Sequence, residues 1–470
     1  MIADLLHLLK HELLLTGVLF VLLLLKLSDK GRNGSSWAGI VNGLLLVNFA
    51  LGLFGNASGE LFNGLFINSP LLHLEKNILN LGILLVSLIA FPYVRSHHHT
   101  SEFYMLLVST LLGMFFMLSA GHLLLFYIGL ELATIPLAAL ANFNLNRSAS
   151  SEAGVKMILS SAFSSALMLM GISLIYGTTG SLRFSEIAAA LSGSPLQLFA
   201  FTMILTGFAF KLSAVPFHFW TADVYEGAPV PVTAYLSVIS KAAVAFTFTG
   251  ILYTTFGALS ETWYFLLFIL AMATILVGNL FALRQQNIKR FLAFSSIAQV
   301  GFILAGLSSG STEGQAAVVY FLLIYLFSNL AAFGVVTLVS ATSDRERIDD
   351  YKGFYKTHPV LSWVLTIALF SLAGVPPTAG FFGKLFLLTA GASTGNYVLT
   401  GFAALNMVIS MYYYLRIVKA IFMDENEYPV SGVSTGILPG IALAICIAGI
   451  LLTGFSGPLY AFIHSLSNGI

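Results

Sequence analysis

The sequence contains few charged residues and a great deal of apolar surface. Asp, Glu, Lys and Arg make up 9% of its 470 residues, whereas hydrophobic residues make up 58% and the mean hydropathy is +0.91. An average soluble domain carries roughly 25% charged residues. A water-soluble chain of this size could not bury so much apolar surface, so the composition predicts a protein whose solvent is the lipid bilayer.

Three further absences exclude classes of function. The single cysteine, Cys446, cannot form an internal disulfide, an iron–sulfur site or a cysteine-based zinc site. No two of the 42 glycines are two positions apart, so the G-x-G-x-x-G pattern of dinucleotide-binding folds is absent. The formal net charge of +1 provides no overall field that would attract nucleic acid. Electron chemistry linked to this chain must therefore belong to another chain.

Long apolar runs are abundant, and they predict the fold class. A helix needs about 20 apolar residues to cross a bilayer. Residues 12–27 are apolar without a following cleavage site, which indicates a retained helix rather than a signal peptide. We predict an all-α integral membrane protein with fourteen spans. They lie near residues 10–28, 37–55, 77–95, 103–120, 122–141, 154–177, 196–223, 229–255, 262–283, 287–308, 315–342, 358–392, 396–422 and 436–456.

The uneven distribution of Lys and Arg predicts the orientation of the chain. Fifteen lie in the odd-numbered loops and their flanks, against three on the other side. Because cytoplasmic loops carry the excess of Lys and Arg, the odd-numbered loops are predicted to be cytoplasmic and both termini to lie outside. The fifteen are Lys26, Lys30, Arg32, Arg95, Arg147, Lys156, Arg284, Lys289, Arg290, Arg345, Arg347, Lys352, Lys356, Arg416 and Lys419; the three are Lys10, Lys76 and Arg183.

Four ionisable residues fall inside apolar spans: Glu131, Lys211, Lys241 and Lys384. A charge at the bilayer centre costs about 2.5–3.5 kcal/mol on insertion scales, so such residues are rare and functional by default. Desolvation disfavours the charged form of a lysine and a nearby carboxylate favours it, so a Glu–Lys pair can act as a switch that binds and releases a proton. The alternatives are a structural ion pair and lysines whose charged ends reach the membrane surface.

One short segment repeats within the chain. Residues 210–216, FKLSAVP, align with residues 370–376, FSLAGVP. The two segments lie in the seventh and twelfth predicted spans, which run in opposite directions. An inverted-topology repeat predicts this arrangement, and transporters often build sites near the membrane midplane from such paired broken helices.

Prolines interrupt the same two spans. Pro216, Pro376 and Pro377 lack a backbone donor and break the helical hydrogen-bond ladder. Non-helical backbone at membrane depth persists only where protein or water satisfies it. Since Lys211 precedes one break and Lys384 follows the other, hydrated breaks beside lysines would offer a proton a route. A packing kink is the simpler alternative.

Four stretches of the chain carry a family resemblance. They are KLSAVPFHFWTADVYEGAPVPVTAYLSVISKAA at 211–243, FYIGLELATIPL at 126–137, NIKRFLAFSSIAQVGF at 287–302 and GVPPTAGFFGKL at 374–385. These motifs closely resemble the N-subunit family of bacterial NADH–quinone oxidoreductase, respiratory complex I, whose mitochondrial counterpart is subunit 2. DVYEGAP is the most specific of them.

The resemblance implies a division of the chain into four parts. Residues 1–102 would hold three helices and residues 423–470 the last helix and tail. Residues 103–255 and 256–422 would form two inverted five-helix bundles, comprising spans four to eight and nine to thirteen. Each bundle would contain one proline-broken helix.

The resemblance also implies roles for the four intramembrane residues. Glu131 would be the acid of the fifth span and Lys211 the lysine with which it pairs. Lys241 would be the central connecting lysine, and Lys384 the lysine on the exit side. Family members often have a histidine where this chain has Gln299, and glutamine can hold water but cannot titrate.

Cofactors, partners and location follow from the same resemblance. The chain would be a translocase subunit that binds no cofactor and no metal, while other subunits use NADH, FMN, iron–sulfur clusters and quinone. Its partners would be the other membrane subunits of complex I, including adjacent antiporter-like subunits, and the lipid bilayer, with no nucleic acid. The location would be the bacterial inner membrane.

Three further residues are candidates for supporting roles. His218 lies where a proton could enter, or it is an interfacial packing residue. Gln299 and Tyr325 could hold water within the membrane or only form hydrogen bonds between neighbouring helices.

Two other functions stay open: a subunit of a multisubunit sodium/proton antiporter, and a membrane scaffold whose buried charges set helix register. A complex that takes electrons from ferredoxin is a variant of the leading hypothesis.

Overall fold

The protein is built almost entirely from α-helices. A computed structural model describes residues 6–28, 33–55, 57–95, 97–430 and 432–467, so Lys30 and Arg32 of the topology count lie outside the described residues. The helices up to residue 254 are α1 (Lys10–Leu27), α2 (Gly34–Gly52), α3 (Pro70–Val94), α4 (Thr100–Leu118), α5 (Leu123–Ala141), α6 (Ser148–Thr179), α7 (Phe184–Ala190), α8 (Pro195–Leu212), α9 (Phe219–Gly227), α10 (Val230–Tyr235) and α11 (Lys241–Thr254). A π-helical turn, Leu236–Ser240, joins α10 to α11.

The remaining helices lie between residues 260 and 467, and the described residues of this part contain no β-strand. They are α12 (Ser260–Arg284), α13 (Ile288–Leu307), α14 (Thr312–Ser343), α15 (Phe354–Thr357), α16 (Pro359–Ala373), α17 (Ala379–Ser393), α18 (Tyr397–Phe422), α19 (Ile437–Gly454) and α20 (Gly457–Ser467). Short 3₁₀ turns occur at Gly257–Leu259 and Ile348–Tyr351. Helix α14 forms the centre of the protein, because every residue from 314 to 339 is buried.

The fourteen predicted spans are consistent with this architecture. Among the described residues, twelve helical stretches are long and apolar enough to cross a membrane. The two shorter apolar helices α16 and α17 together form the broken twelfth span, and α1 matches the first predicted span. Helices α8 and α9 form the broken seventh span.

The helix of each broken span is interrupted by the same two backbone features. In the seventh span, Ser213 adopts a left-handed conformation with φ 67° and the Val215–Pro216 bond is cis. In the twelfth span, Gly374 has φ 84° and the Pro376–Pro377 bond is cis. The left-handed residue ends the first half-helix in each case, since an L-residue helix cannot continue through it.

These landmarks correct the predicted alignment of the repeat by one residue. Counted from the left-handed residue and the cis bond, Pro216 matches Pro377, whereas the sequence alignment paired it with Pro376. Lys211 then matches Leu372 and not Ser371. The prediction was wrong because the identical Val-Pro letters of the two segments occupy different structural positions.

Protein groups satisfy the backbone that the first break leaves open. The N–H of Val215 donates to Oγ1 of Thr274 on α12 at 3.0 Å. The indole N–H of Trp220 donates to the carbonyl oxygen of Phe210, in the last turn of α8, at 3.1 Å. This is the condition under which non-helical backbone survives at membrane depth.

A short β-hairpin, which the hydropathy pattern did not predict, covers one face of the protein. Strands β1 (Gly59–Leu61) and β2 (Phe66–Asn68) pair antiparallel, and Phe66 also bridges to Ala120 between α4 and α5. We call this side the hairpin face. The loop between α5 and α6, with Arg147, lies at the other end of α5 and marks the opposite face.

Helix α3 begins at Pro70, whereas the prediction placed the start of the third span at residue 77. The Oγ of Ser69 caps the helix by accepting a hydrogen bond from the N–H of Leu72 at 3.3 Å. Lys76, predicted to be a loop residue, is therefore inside a membrane helix and completely buried. The prediction was wrong because a buried carboxylate, that of Glu12, lies 2.7 Å from the Lys76 ammonium.

Glycines allow the first two helices of the first bundle to pack backbone against backbone. A Cβ on Gly129 of α5 would lie 2.6 Å from the backbone nitrogen of Met117 on α4, closer than real Cβ atoms approach. We expect Gly129→Ala to lower the stability of the protein by about 1–3 kcal/mol, since neither backbone can yield. The melting temperature of the detergent-purified protein measures this.

The matched control for this prediction is Gly177→Ala on α6. A Cβ there would meet no atom within 4 Å among the described residues. Replacing a helical glycine by alanine in open space stabilises a helix by up to about 1 kcal/mol. A melting temperature that falls equally for both variants would contradict the packing argument.

Candidate functional site

Lys211 is buried between α5 and α6 and bonds to two hydroxyl groups. It lies in the last turn of α8, just before the first break, and is 8% exposed. Its ammonium donates to Oγ of Ser161 at 2.6 Å and to Oγ1 of Thr134 at 3.0 Å. Both partners are neutral, so Lys211 can hold these contacts whether or not it carries its third proton.

Glu131 lies next to this lysine without touching it. Within the described part of the chain, the two form no salt bridge within 4 Å, so the expected direct contact is not present. Instead, Ser165 donates a hydrogen bond to the Glu131 carboxylate. Ser165 and Ser161 are one turn apart on α6, and Thr134 is one turn from Glu131 on α5. The carboxylate and the lysine therefore bond to different hydroxyl groups, and no hydrogen bond joins those hydroxyls among the described residues.

Lys241 is the first residue after the π-helical turn and is 1% exposed. Its ammonium donates to Oγ of Ser296 on α13 at 2.7 Å and lies 5.6 Å from the ring centroid of Tyr225. A π-helical turn adds a residue to the helix and often occurs at functional sites. No hydrogen bond links Lys241 to Lys211 among the described residues.

Lys384 binds the backbone that the second break exposes. Its ammonium donates to the carbonyl oxygens of Leu372 at 2.7 Å and of Ala373 at 3.4 Å, the last two residues of α16. It also lies 4.9 Å from the ring centroid of Phe302. The side-chain amide of Gln299 donates to the same Leu372 oxygen at 3.0 Å. One carbonyl thus serves both a lysine and a glutamine.

Two polar connections run from Lys241 towards Lys384. On α13, Ser296, the partner of Lys241, and Gln299 are three residues apart, which is about 4.5 Å along a helix axis. The second connection crosses α14, where the side-chain amide of Asn329 donates to Oγ of Ser237 at 3.1 Å and to the hydroxyl of Tyr325 at 2.8 Å. Ser237 belongs to the π-helical turn that precedes Lys241.

Tyr325, Gln299 and Lys384 line one small cavity. Its volume is about 10 Å³, close to the minimum that holds one water molecule. The Oε1 of Gln299 is buried without a hydrogen-bond partner in the described structure, so a water in this cavity would have an acceptor to bind. Asn329 was not predicted; its only signal was a polar side chain in a long apolar run.

His218 is separate from the three lysines. It follows the first break, is 6% exposed, and its ring lies 4.4 Å from that of Phe219. Its Nδ1 is buried without a hydrogen-bond partner among the described residues. The structure therefore places His218 at the break beside Pro216, without a hydrogen bond to any of the lysines.

Charged residues cluster at the end of α9 that lies towards the opposite face. Asp223 accepts from Lys156 at 2.6 Å and from Arg290 at 2.7 Å, and Arg290 also binds Glu226 at 2.8 Å. Asp223 and Glu226 both lie in α9, and their ion pairs join α6, α9 and α13.

A polar cavity of about 210 Å³ opens beside this cluster. Lys289, which the sequence assigned to a loop flank, is buried in its wall at 3% exposure. Its ammonium lies 3.0 Å from the Glu346 carboxylate and donates to the carbonyl oxygen of Ala228 at 3.3 Å. The cavity gives water a way towards the interior from the opposite face.

The site consists of three buried lysines with neutral partners. Lys211 and Lys384 lie at helix breaks, and polar side chains connect Lys241 with Lys384. This arrangement defines an antiporter-like membrane protein. Among the described residues, no group of three or more His, Cys, Asp or Glu side chains could hold a metal ion.

Comparison with known proteins places the chain in a family. The family model described as "NADH:quinone oxidoreductase/Mrp antiporter, TM" matches residues 120–410. The NADH-quinone oxidoreductase subunit N of Phocaeicola vulgatus is 46% identical over 453 residues, covering 96% of each chain. That of Azobacteroides pseudotrichonymphae is 44% identical and covers 92% of this chain and 93% of the relative. The chain belongs to the NADH-quinone oxidoreductase subunit N family.

Solved structures have the same fold. A chain of respiratory complex I from Thermus thermophilus with bound aureothin matches with a TM-score of 0.81 and 29% identity, covering 95% of this chain and 97% of that one. A chain of the Mrp complex from Dietzia sp. matches with a TM-score of 0.85 and 20% identity, covering 97% and 96%. The latter likeness concerns the fold alone.

Proposed function

We propose that Glu131, Lys211, Lys241 and Lys384 carry protons through this chain. As a member of its family, the chain is a proton-translocating membrane subunit of NADH–quinone oxidoreductase. The observation that carries the proposal is the set of partners around the three lysines. Within the described residues, hydroxyl groups, carbonyl groups and aromatic rings surround them, and no carboxylate lies within 4 Å of any of the three ammonium groups.

Such neutral partners make each lysine suited to reversible protonation. A lysine locked to a carboxylate would keep its charge, because an opposite charge close by favours the charged form. A hydroxyl or carbonyl accepts a hydrogen bond from –NH₃⁺ and also from –NH₂. The site can therefore gain and lose a proton without losing its hydrogen bonds.

Each residue has a proposed role that follows from its place. Glu131 acts on Lys211 through its nearby charge and biases its protonation. Lys241 passes the proton from the first bundle to the second. Lys384 receives it at the second break, across the cavity beside Gln299. Because glutamine does not titrate, the proton passes Gln299 through water.

Six supporting residues complete this path. Tyr325 and Gln299 orient water in the cavity beside Lys384, and His218 serves the first break. Pro216 and Pro377 create the breaks, and Pro376, which is the residue before the second cis bond, holds the chain in the extended conformation there. The domains at 1–102, 103–255, 256–422 and 423–470 place one break in each five-helix bundle.

The rest of the complex supplies the redox chemistry in this proposal. Other subunits bind NADH, FMN, iron–sulfur clusters and quinone, and this chain binds none of them. Its partners are the other membrane subunits, with antiporter-like neighbours beside it in the bacterial inner membrane. The hairpin face would be periplasmic and the face with Arg147 cytoplasmic, in agreement with the distribution of Lys and Arg.

Native purification tests the assembly on which this function depends. We expect that a tagged copy of the chain, extracted from its own membrane in a mild detergent, brings flavin and iron–sulfur subunits with it. Mass spectrometry of the co-purifying proteins measures this, and an unrelated multi-pass protein isolated in parallel gives the background. Recovery of small membrane subunits without any redox protein would favour the sodium/proton antiporter, and sodium-dependent transport would then decide.

A further inference from the structure

The first three helices bury a group of ionisable residues that the proposed path does not use. His11 and Glu12 lie on α1, and His73, Glu75 and Lys76 lie on α3. None of the five is more than 8% exposed. Intramembrane ionisable residues are functional by default, and five in one place require a reason.

Glu12 and Lys76 form the charged core of this group. The Lys76 ammonium lies 2.7 Å from the Glu12 carboxylate and 5.1 Å from the ring centroid of Phe66. Beyond that ion contact, neither group has a hydrogen-bond partner among the described residues. Replacing a buried ion pair by apolar residues is often neutral or stabilising, so stability alone is a weak reason for its presence.

Beside the ion pair runs a chain of hydrogen bonds with one consistent direction. Nε2 of His73 lies 2.9 Å from the carbonyl oxygen of Gly52, so it must carry a proton and donate. Nδ1 of His73 is then the acceptor for Nε2–H of His11 at 3.1 Å. Nδ1 of His11 in turn accepts from the amide of Asn80 at 3.5 Å, and Asn80 accepts from Asn48. The bonds assign both imidazoles as neutral Nε2–H tautomers.

This chain leads from the interior to the hairpin face. At its outer end, Gly52 closes α2, where the Lys10 ammonium donates to the carbonyl oxygens of Leu51 and Phe54. At its inner end, Asn80 precedes Gly82, which packs directly on the side chain of Ile239 in the π-helical turn before Lys241. Helix α3 therefore runs from the imidazole pair to the turn that positions the central lysine.

Few other charges face this group. The cations that face His11 are Lys76 and Lys10, and the carboxylates of the group are Glu12 and Glu75. Helix α2 contains no charged residue, and α4 contains only Glu102, which lies at the other end of α1 and pairs with Lys26 at 3.1 Å. The protonation of the imidazoles thus depends on the ion pair beside them.

We propose that these residues form a second proton-transfer site, which connects the interior of the protein with the hairpin face. His11 accepts at Nδ1 a proton from a water molecule that replaces the Asn80 amide there, and gives up its Nε2 proton to Nδ1 of His73. His73 gives its own Nε2 proton to water at the hairpin face beside Gly52. When the Lys76 N–H bond breaks and an O–H bond forms on Glu12, the pair becomes neutral and the imidazoles can take up a positive charge. The reverse transfer expels that charge.

The substitution Lys76→Arg tests this proposal in the assembled complex. Arginine keeps the charge and the ion pair with Glu12 but cannot be deprotonated. We expect the rate of NADH-driven proton uptake into inverted membrane vesicles to fall about tenfold, the effect of one pKa unit at a transfer step. The matched control is Lys26→Arg, in the exposed ion pair at the other end of α1, which should transport like the parent chain. Parent-level transport by Lys76→Arg overturns the proposal.

A second variant covers the case in which arginine is too large to fit. Glu12→Gln with Lys76→Met removes both charges of the ion pair together, so neither partner is left behind alone. If this complex assembles with reduced transport, the proposal stands; if it transports like the parent chain, the ion pair is structural and the proposal fails. The inference rests on the proposed proton transport, and Lys211→Ala separates the two. If Lys211→Ala loses transport while the Lys76 variants transport like the parent chain, the proposed proton transport stands and only the N-terminal site is overturned.

Discussion

Replacing Lys241 by arginine is expected to stop most proton transport while the complex stays assembled. Arginine carries the same charge into the site beside Ser296, but it does not release its proton. A residue that must bind and release a proton in every cycle would therefore stay occupied. Since a positioned acid–base group typically contributes a factor of about 10²–10⁴ to a rate, the rate of proton uptake in inverted vesicles should fall by at least about 100-fold.

Two companion variants sharpen this result. Lys241→Ala should fail in the same direction, because it removes the proton-binding group altogether. Lys419→Arg, on the exposed side of α18 and 3.5 Å from Asp424, makes the same change of side chain outside the path and should transport normally. If Lys241→Arg transports like Lys419→Arg, Lys241 does not exchange protons.

Replacing Lys211 by alanine should also reduce proton transport sharply, with electron transfer by other subunits falling as a coupled consequence. The variant leaves Thr134 and Ser161 without their donor and removes the ammonium group near Glu131. We expect a loss of about 10²-fold or more in transport, again the contribution of a positioned acid–base group. The measurement is dye-detected proton uptake together with the rate of NADH oxidation.

Lys352→Ala is the control for general effects of losing a lysine. Lys352 is partly exposed and pairs only with the neighbouring Asp349 at 2.7 Å among the described residues. Its loss should leave both rates unchanged. An assembled Lys211→Ala complex with normal transport would remove Lys211 from the switch, whatever the outcome at Lys241.

The sequence predicted the spans and the breaks because both depend on local properties. Apolar runs of membrane length and prolines within them can be read without any partner, and the burial of Lys241 and Lys384 follows from their central positions. The third span was predicted too short because His73, Glu75 and Lys76 lower the local hydropathy. These residues are buried only because α1 packs Glu12 against them. A contact between two separate segments cannot be predicted from the hydropathy of either one.

The contacts within the site were harder to predict than its members. A glutamate in the fifth span and a lysine in the seventh suggested a pair, but each bonds instead to a serine hydroxyl of α6, Glu131 to Ser165 and Lys211 to Ser161. Likewise, the carbonyl oxygen of Leu372 is a backbone group, and any residue at that position would provide it. Backbone partners and intervening hydroxyls leave almost no signal in a sequence that is rich in serine and leucine.

In the proposed path, the neutral partners of Lys241 and Lys384 also affect how many protons the chain can hold at once. Because the described partners of Lys241 and Lys384 include no counter-ion, each proton that arrives adds a full positive charge to a medium of low dielectric constant. Two such charges repel each other far more strongly there than in water. A filled lysine therefore discourages the filling of the next one, and the protons must pass in single file, each advancing when the one ahead has left.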